Sequence, residues 1–204
     1  MNQLASIFLL ASAISGNAAA SPKVPTSNTG LLQMVTYVKR NHNMTVNEFW
    51  QYWDTQHAPK VIPLATHFGI ARYQQVALTL SYSYSVSLYL NRTDVFFAPV
   101  RVAGKIVPTD TGATEPVSNN LVDFDGIAMF LYESADVLID MLSHPYYVNV
   151  VEPDEHVFID KSAHGNGMVA TYIGEHIDAV DDAKSVWKGD KKTLSKYQKL
   201  FKNY

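Results

Sequence analysis

Cysteine is absent from all 204 residues. That excludes disulfides, thiolate nucleophiles, Cys-ligated zinc and iron–sulfur clusters together. A secreted protein of this size can do without bridges, which are mainly needed by small domains. Charge of one sign is also scarce. The net charge is −3 and charged residues make up 17% of the chain, so there is no general pull toward nucleic acid or anionic membrane. There is no phosphate-binding glycine loop, no H-E-x-x-H, no G-x-S-x-G and no dinucleotide fingerprint. The seven histidines are scattered, with no H-x-H or H-x-x-x-H pair. Transition-metal, phosphoryl-transfer and nicotinamide chemistry therefore have no support from spacing, and no cofactor is called for.

What is there is ordinary globular material, 47% hydrophobic, enough for one domain with a core. Met1 to Ala20 reads as a signal peptide: an apolar run from Leu4 to Ile14, then the small residues Ala18-Ala19-Ala20. The run is too short to span a bilayer, so stable membrane insertion is not expected. Residues 21–30 form a Ser/Pro/Thr/Asn leader. The sequons at Asn43 and Asn91 fit a secreted, glycosylated chain. Residues 31–180 are the domain, and residues 181–204 are a Lys-rich tail holding seven of the sixteen basic residues. Leu194, Tyr197, Leu200, Phe201 and Tyr204 recur there near helical spacing. The tail reads as an amphipathic helix packed on the body or a dimer, with a membrane-surface role as the alternative.

The stretch Met44 to Tyr73 organises the rest. Thr45 and Glu48 stand at capping-box spacing, and Met44 and Phe49 at the positions of a hydrophobic staple. A helix is therefore predicted to start at Thr45. Val46, Phe49, Trp50 and Trp53 make one apolar stripe, and the next position on it is His57. Pro59 places His57 in the last turn, where helix-end carbonyls favour a protonated ring. The plain alternative is a core histidine bonded to a carbonyl. Pro59 to Phe68 is a second helical piece stopped at Gly69.

Strands are predicted at Leu31 to Val38 (apolar on both faces), Ala71 to Leu78, Phe124 to Tyr132 and Gly167 to Ile177. In the last, Met168, Ala170, Tyr172, Gly174 and His176 share one face. Ser81 to Leu90 and Phe96 to Val107 read as extra strands in an insertion after the second strand. Ser134 caps a helix that buries Val137, Leu138, Met141 and Leu142 and ends at His144-Pro145. Pro153 starts a further helical turn, with Asp154 and Glu155 suited to its amino end.

Phe49-Trp50-x-Tyr52-Trp53-x-x-x-His57-Ala58-Pro59 resembles the signature of EthD-type proteins. Gly69 to Gln75 and Asp123 to Ala128 resemble that family's second and third strands. Tyr147 to Asp160, which contains Pro153-Asp154-Glu155 and Phe158, is similar to a segment of its fungal polyketide-tailoring branch. The resemblance spans roughly Leu31 to Asp178. It implies an α+β fold: a ferredoxin-like protomer of a dimeric α/β barrel, four antiparallel strands with helices on one face. It further implies a homodimer and cofactor-free decarboxylation, dehydration or ring closure on an aromatic polyketide.

The residues are consistent with such chemistry. Trp50 and Trp53 offer flat walls for a planar aromatic ligand. His57 can exchange a proton near neutral pH. Tyr73 can donate to a phenolic or carbonyl oxygen, and Asp125 can orient an imidazole, its alternative being a strand-end turn residue. Tyr52, His67, His144, His156 and Tyr172 are further polar candidates, Tyr172 as a substrate contact. The expected function is a secreted lyase acting by His57 acid–base catalysis. A cofactor-free anthrone-type monooxygenase and a non-catalytic binder of aromatic metabolites are the alternatives.

Overall fold

The computed structural model describes residues 28–77, 104–110, 113 and 115–204. The expected signal peptide, most of the leader, the sequon at Asn91 and the strand at Ser81 to Leu90 lie outside the described residues. So does most of the strand expected from Phe96, of which Gly104–Ile106 is described as β3.

Four strands build the main sheet: β1 (Leu32–Val38), β2 (Arg72–Ala77), β5 (Gly126–Tyr132) and β6 (Met168–Glu175). Their order is β2-β5-β1-β6, and every neighbouring pair is antiparallel. β1 and β2 thus run parallel with β5 between them, the split βαβ arrangement of ferredoxin-like folds. β3 pairs with β4 (Val122–Phe124) inside the long connection between β2 and β5.

Alternation along the strands sorts side chains to two faces. Leu32, Met34, Val38, Ala128, Phe130 and Tyr132 meet the helices in two clusters. One cluster centres on Val61, Leu64, Leu138, Met141 and Val151, the other on Phe49, Trp53, Phe158 and Ile159. Val35, Tyr37, Met129 and Leu131 belong to the opposite face, as the pairing register requires. Among the described residues, part of that face is covered where the Tyr37 ring meets Phe124 edge-on at 4.8 Å.

One strand expectation is corrected. Tyr37 pairs with Ala170 but Val38 pairs with Met168, so Val169 is an extra residue. This β-bulge turns Met168 to the helix side, against the Phe49 cluster, while Ala170, Tyr172 and Gly174 keep the other face. Met168 therefore does not share a face with Ala170, Tyr172 and Gly174 as expected.

The first helix begins as the capping box requires. Thr45 Oγ1 accepts from Glu48 N at 3.2 Å, and Glu48 Oε2 accepts from Thr45 N at 2.7 Å. α1 (Val46–Tyr52) does not end at His57, however. It passes through a π-turn at Trp53–His57 into α2 (Ala58–His67). Proline lacks an N–H and crowds the carbonyl four residues back. Widening the turn, so that Ala58 N–H reaches Trp53 O, accommodates Pro59 without breaking the helix. The second half repeats the device. α3 (Ala135–Ser143), capped by Ser134, is followed by a π-turn at Tyr147–Val151, Pro153 and α4 (Glu152–Phe158).

β7 (Val180–Asp181) and β8 (Lys184–Ser185) form a small hairpin before α5 (Lys191–Phe201). The tail helix is present, and no residue of it is fully buried. Among the described residues no helix is long and apolar enough to cross a membrane.

Candidate functional site

The π-turn fixes where the stripe of α1 delivers its polar residue. His57 is 5% exposed and packs against Phe158 with the rings tilted and their centroids 4.7 Å apart. Its Nδ1 lies 2.9 Å from Oδ2 of Asp154 on α4. The other carboxylate oxygen, Oδ1, accepts from Tyr52 Oη at 2.7 Å and Lys60 Nζ at 2.8 Å. Three donors from the first helical arm therefore converge on one acid of the second.

Protonation follows from this packing. Burial lowers the pKa of His57 below its ordinary 6.5, and the hydrogen bond to Asp154 and the charges of Glu155 and Asp154 oppose it only in part. The expected stabilisation of a charged ring at a helix end is thus corrected, because the helix does not end there and burial dominates. Burial also works to raise Asp154, but the bonds from Lys60, Tyr52 and His57 outweigh it and hold the acid low. Burial, then Asp154, pushes Tyr52 up to about 12. The pair at rest is a neutral imidazole and a carboxylate. Nδ1 carries the proton toward Asp154, and Nε2 keeps a lone pair with no hydrogen-bond partner among the described residues.

Tyr73 is set in the complementary way. Its Oη accepts from Trp53 Nε1 at 3.1 Å and from Gln75 Nε2 at 2.8 Å. Both acceptor positions of the phenol are filled, so its own O–H is left to donate. Burial raises its pKa above 10, the two bonds lowering it only in part. Its ring stacks on Phe130 at 4.8 Å. Tyr73 and Gln75 border an open groove of about 480 Å³ with Asp54, Ala58, Ile62 and Ile70. His57 is not among the residues of that groove.

Trp50 and Trp53 stack on each other at 5.1 Å over Gly126. A Cβ at Gly126 would lie 2.6 Å from Trp53 and 3.0 Å from Trp50. Neither indole lines the described groove. Trp53 instead holds Tyr73, and Trp50 Nε1 is sealed without a hydrogen-bond partner.

Two expected residues fall elsewhere. Asp125 does not orient His57. It is 1% exposed and accepts from Arg40 N at 3.0 Å, with Lys39 Nζ 3.2 Å away, which locks the turn between β4 and β5. Tyr172 lies on the sheet face away from the helices, where its Oη is 3.1 Å from Thr109 Oγ1. Asn43 is exposed just before the helix cap. His156 is paired with Glu152 on the surface, and the rings of His67 and His144 meet 6.0 Å apart away from the site.

Spacing gave no sign of Asp154, 97 residues from His57. Both acids of Pro153-Asp154-Glu155 read as helix-start residues. Asp154 instead anchors His57, and Glu155 is buried against Tyr147 Oη at 2.9 Å and Lys161 Nζ at 2.7 Å. Among the described residues no three His, Asp or Glu side chains are grouped to hold a metal.

A ferredoxin-like antiparallel sheet, two helical arms widened at matching places, and a buried histidine–carboxylate pair joining the arms define a small α+β domain with one polar site. The chain belongs to the EthD domain family, whose model matches residues 41–162. That match takes in His57, Tyr73 and Asp154. A crystal structure of an ethyl tert-butyl ether D (EthD) family protein from Bacillus halodurans is similar at 12% identity. The similarity covers 72% of this chain and 98% of that one, with a TM-score of 0.38. No curated protein matches the sequence.

Proposed function

We propose that this protein is a cofactor-independent lyase acting on an aromatic polyketide intermediate, with His57 as general base and Tyr73 as the hydrogen-bond donor to a substrate oxygen. The observation that carries this reading is the state of His57: a buried, neutral imidazole, its Nδ1 fixed by Asp154 and its Nε2 unpaired. A base poised in this way suits a reaction that begins by removing a proton. In dehydration, Nε2 takes a proton from carbon beside a carbonyl, one carbon from the hydroxyl that will leave. Tyr73 donates to the carbonyl oxygen as enolate character develops. The imidazolium then gives its proton to the departing hydroxyl, so water leaves and His57 returns to neutral. Decarboxylation uses the same groups: Nε2 first takes the proton of the substrate's carboxyl group, the electrons left by CO2 are held at the oxygen facing Tyr73, and the imidazolium returns that proton to carbon.

The separation of His57 from the described groove favours a second reading, a non-catalytic binder that holds aromatic metabolites beside Tyr73 and Gln75. Incubation with aromatic polyketide intermediates and mass analysis separates the two. Loss of water or CO2 is the expected result. Gain of oxygen would mark a monooxygenase, and recovery of unchanged ligand from a stable complex would mark a binder.

The uncovered face of the sheet supports a homodimer closing into a barrel. Val35 and Met129 stay only half-buried there within one chain, and a second copy would cover them. Light scattering at micromolar concentration should give twice the chain mass. We also place the mature start at Ser21 after export, which amino-terminal sequencing from the native host reads directly.

A further inference from the structure

The lyase reading leaves α5 without a role. Lys191–Phe201 is capped at its start by Asp190, whose side chain accepts from Lys192 N and Thr193 N. None of its residues is fully buried, though Leu194 is half-buried, and it is sharply two-sided. At about 100° per residue, Leu194, Tyr197, Leu200 and Phe201 fall within roughly one third of the helix circumference. Tyr197 is 57% exposed, Leu200 46% and Phe201 79%, and Tyr204 just beyond is 99% exposed. Lys191, Lys192, Lys196, Lys199 and Lys202 take the opposite side, and residues 191–204 contain no Asp or Glu.

Such a helix is poorly suited to water alone. Lys192–Lys196, Lys196–Lys199 and Lys199–Lys202 are like-charge neighbours three or four residues apart, and such pairs destabilise a free helix. None of the five lysines forms an ion pair among the described residues. A helix docked in an apolar protein groove would hide the apolar side but leave this repulsion in place. An anionic surface that also has an apolar layer relieves both. Lysine stems can lie along the apolar boundary with their ammonium groups among anionic headgroups, and Tyr and Phe rings suit that depth.

We propose that α5 is a peripheral anchor that lies flat on an anionic lipid surface, with Leu194, Tyr197, Leu200 and Phe201 entering the acyl boundary and the five lysines contacting headgroups. It does not cross the bilayer. A single amphipathic segment of this kind binds reversibly, and its affinity falls with salt.

The test is sedimentation of the full chain with vesicles of phosphatidylcholine alone and of phosphatidylcholine mixed with phosphatidylglycerol. Binding should appear only with the anionic lipid and weaken as salt rises. Each lysine near an anionic surface is worth roughly a fivefold change in binding. Lys196→Gln with Lys199→Gln should therefore weaken binding by roughly 25-fold. Leu200→Asp with Phe201→Asp should abolish it. Because Lys196, Lys199, Leu200 and Phe201 are all exposed, both variants should keep the thermal unfolding of the body. Equal binding to both vesicle types, no binding at low salt, or unchanged binding by the aspartate variant would each overturn the proposal. So would an aspartate variant whose light-scattering mass drops to that of one chain, since α5 would then be a contact between copies.

Discussion

His57 has two ring nitrogens and one hydrogen bond, and that asymmetry sets its chemistry. Because folding lowers its pKa, the unfolded chain binds more protons between the folded value and 6.5. The stability linked to this group is present above pH 6.5 and is lost as pH falls through that window. Activity should follow the same ring. The pH profile of kcat/KM should show an acid limb centred below 6.5 and no alkaline limb below pH 10, since Tyr73 is raised. An acid limb centred above 6.5 would mean that the charged ring is favoured and the base assignment is wrong. Asp154 and Asp125 provide a contrast. Asp154→Asn leaves one acceptor oxygen for three donors. It should cost about 1–3 kcal/mol in unfolding free energy and lower turnover by roughly 10²–10⁴-fold. Asp125→Asn should destabilise the fold, because Arg40 and Lys39 lose their shared acid, while leaving the acid limb where it was.

At the scale of elements, Gly126 and the π-turn determine where the polar residues meet. The Trp50–Trp53 stack sits so close to β5 that only a hydrogen fits at Gly126. Gly126→Ala should force the stack to shift at a cost of about 1–3 kcal/mol, read as a lower melting temperature. It should also pull Trp53 Nε1 from Tyr73 and reduce turnover in the material that still folds. Much of this arm was legible in the sequence. The capping box and the Phe49–Trp53–His57 stripe give the helix start, its buried face and the residue at the end of that face. The π-turn was not legible, because the rule for residues before proline predicts an end and cannot foresee a widened turn. The bulge at Val169 was equally hidden, since it depends on pairing with β1. Asp154 was visible as a residue but not as a partner. Its local position at a helix start explains an acid there, and its second role arises only when α4 folds against α1.

For the whole molecule, strand and helix positions came through because alternation and periodicity are local signals, whereas the sheet topology was implied by the resemblance to the EthD family. The site depends instead on joining two arms, α1–α2 and α3–α4, that are far apart in sequence. The central claim is that this joint holds a neutral base ready for proton transfer. The most direct test is turnover of His57→Ala on an aromatic polyketide intermediate that the wild-type protein converts, with melting followed in parallel. The account predicts a loss of roughly 10²–10⁴-fold with the melting temperature within a few degrees of wild type. Near-normal turnover in the variant would contradict it, as would lost turnover accompanied by a collapsed fold.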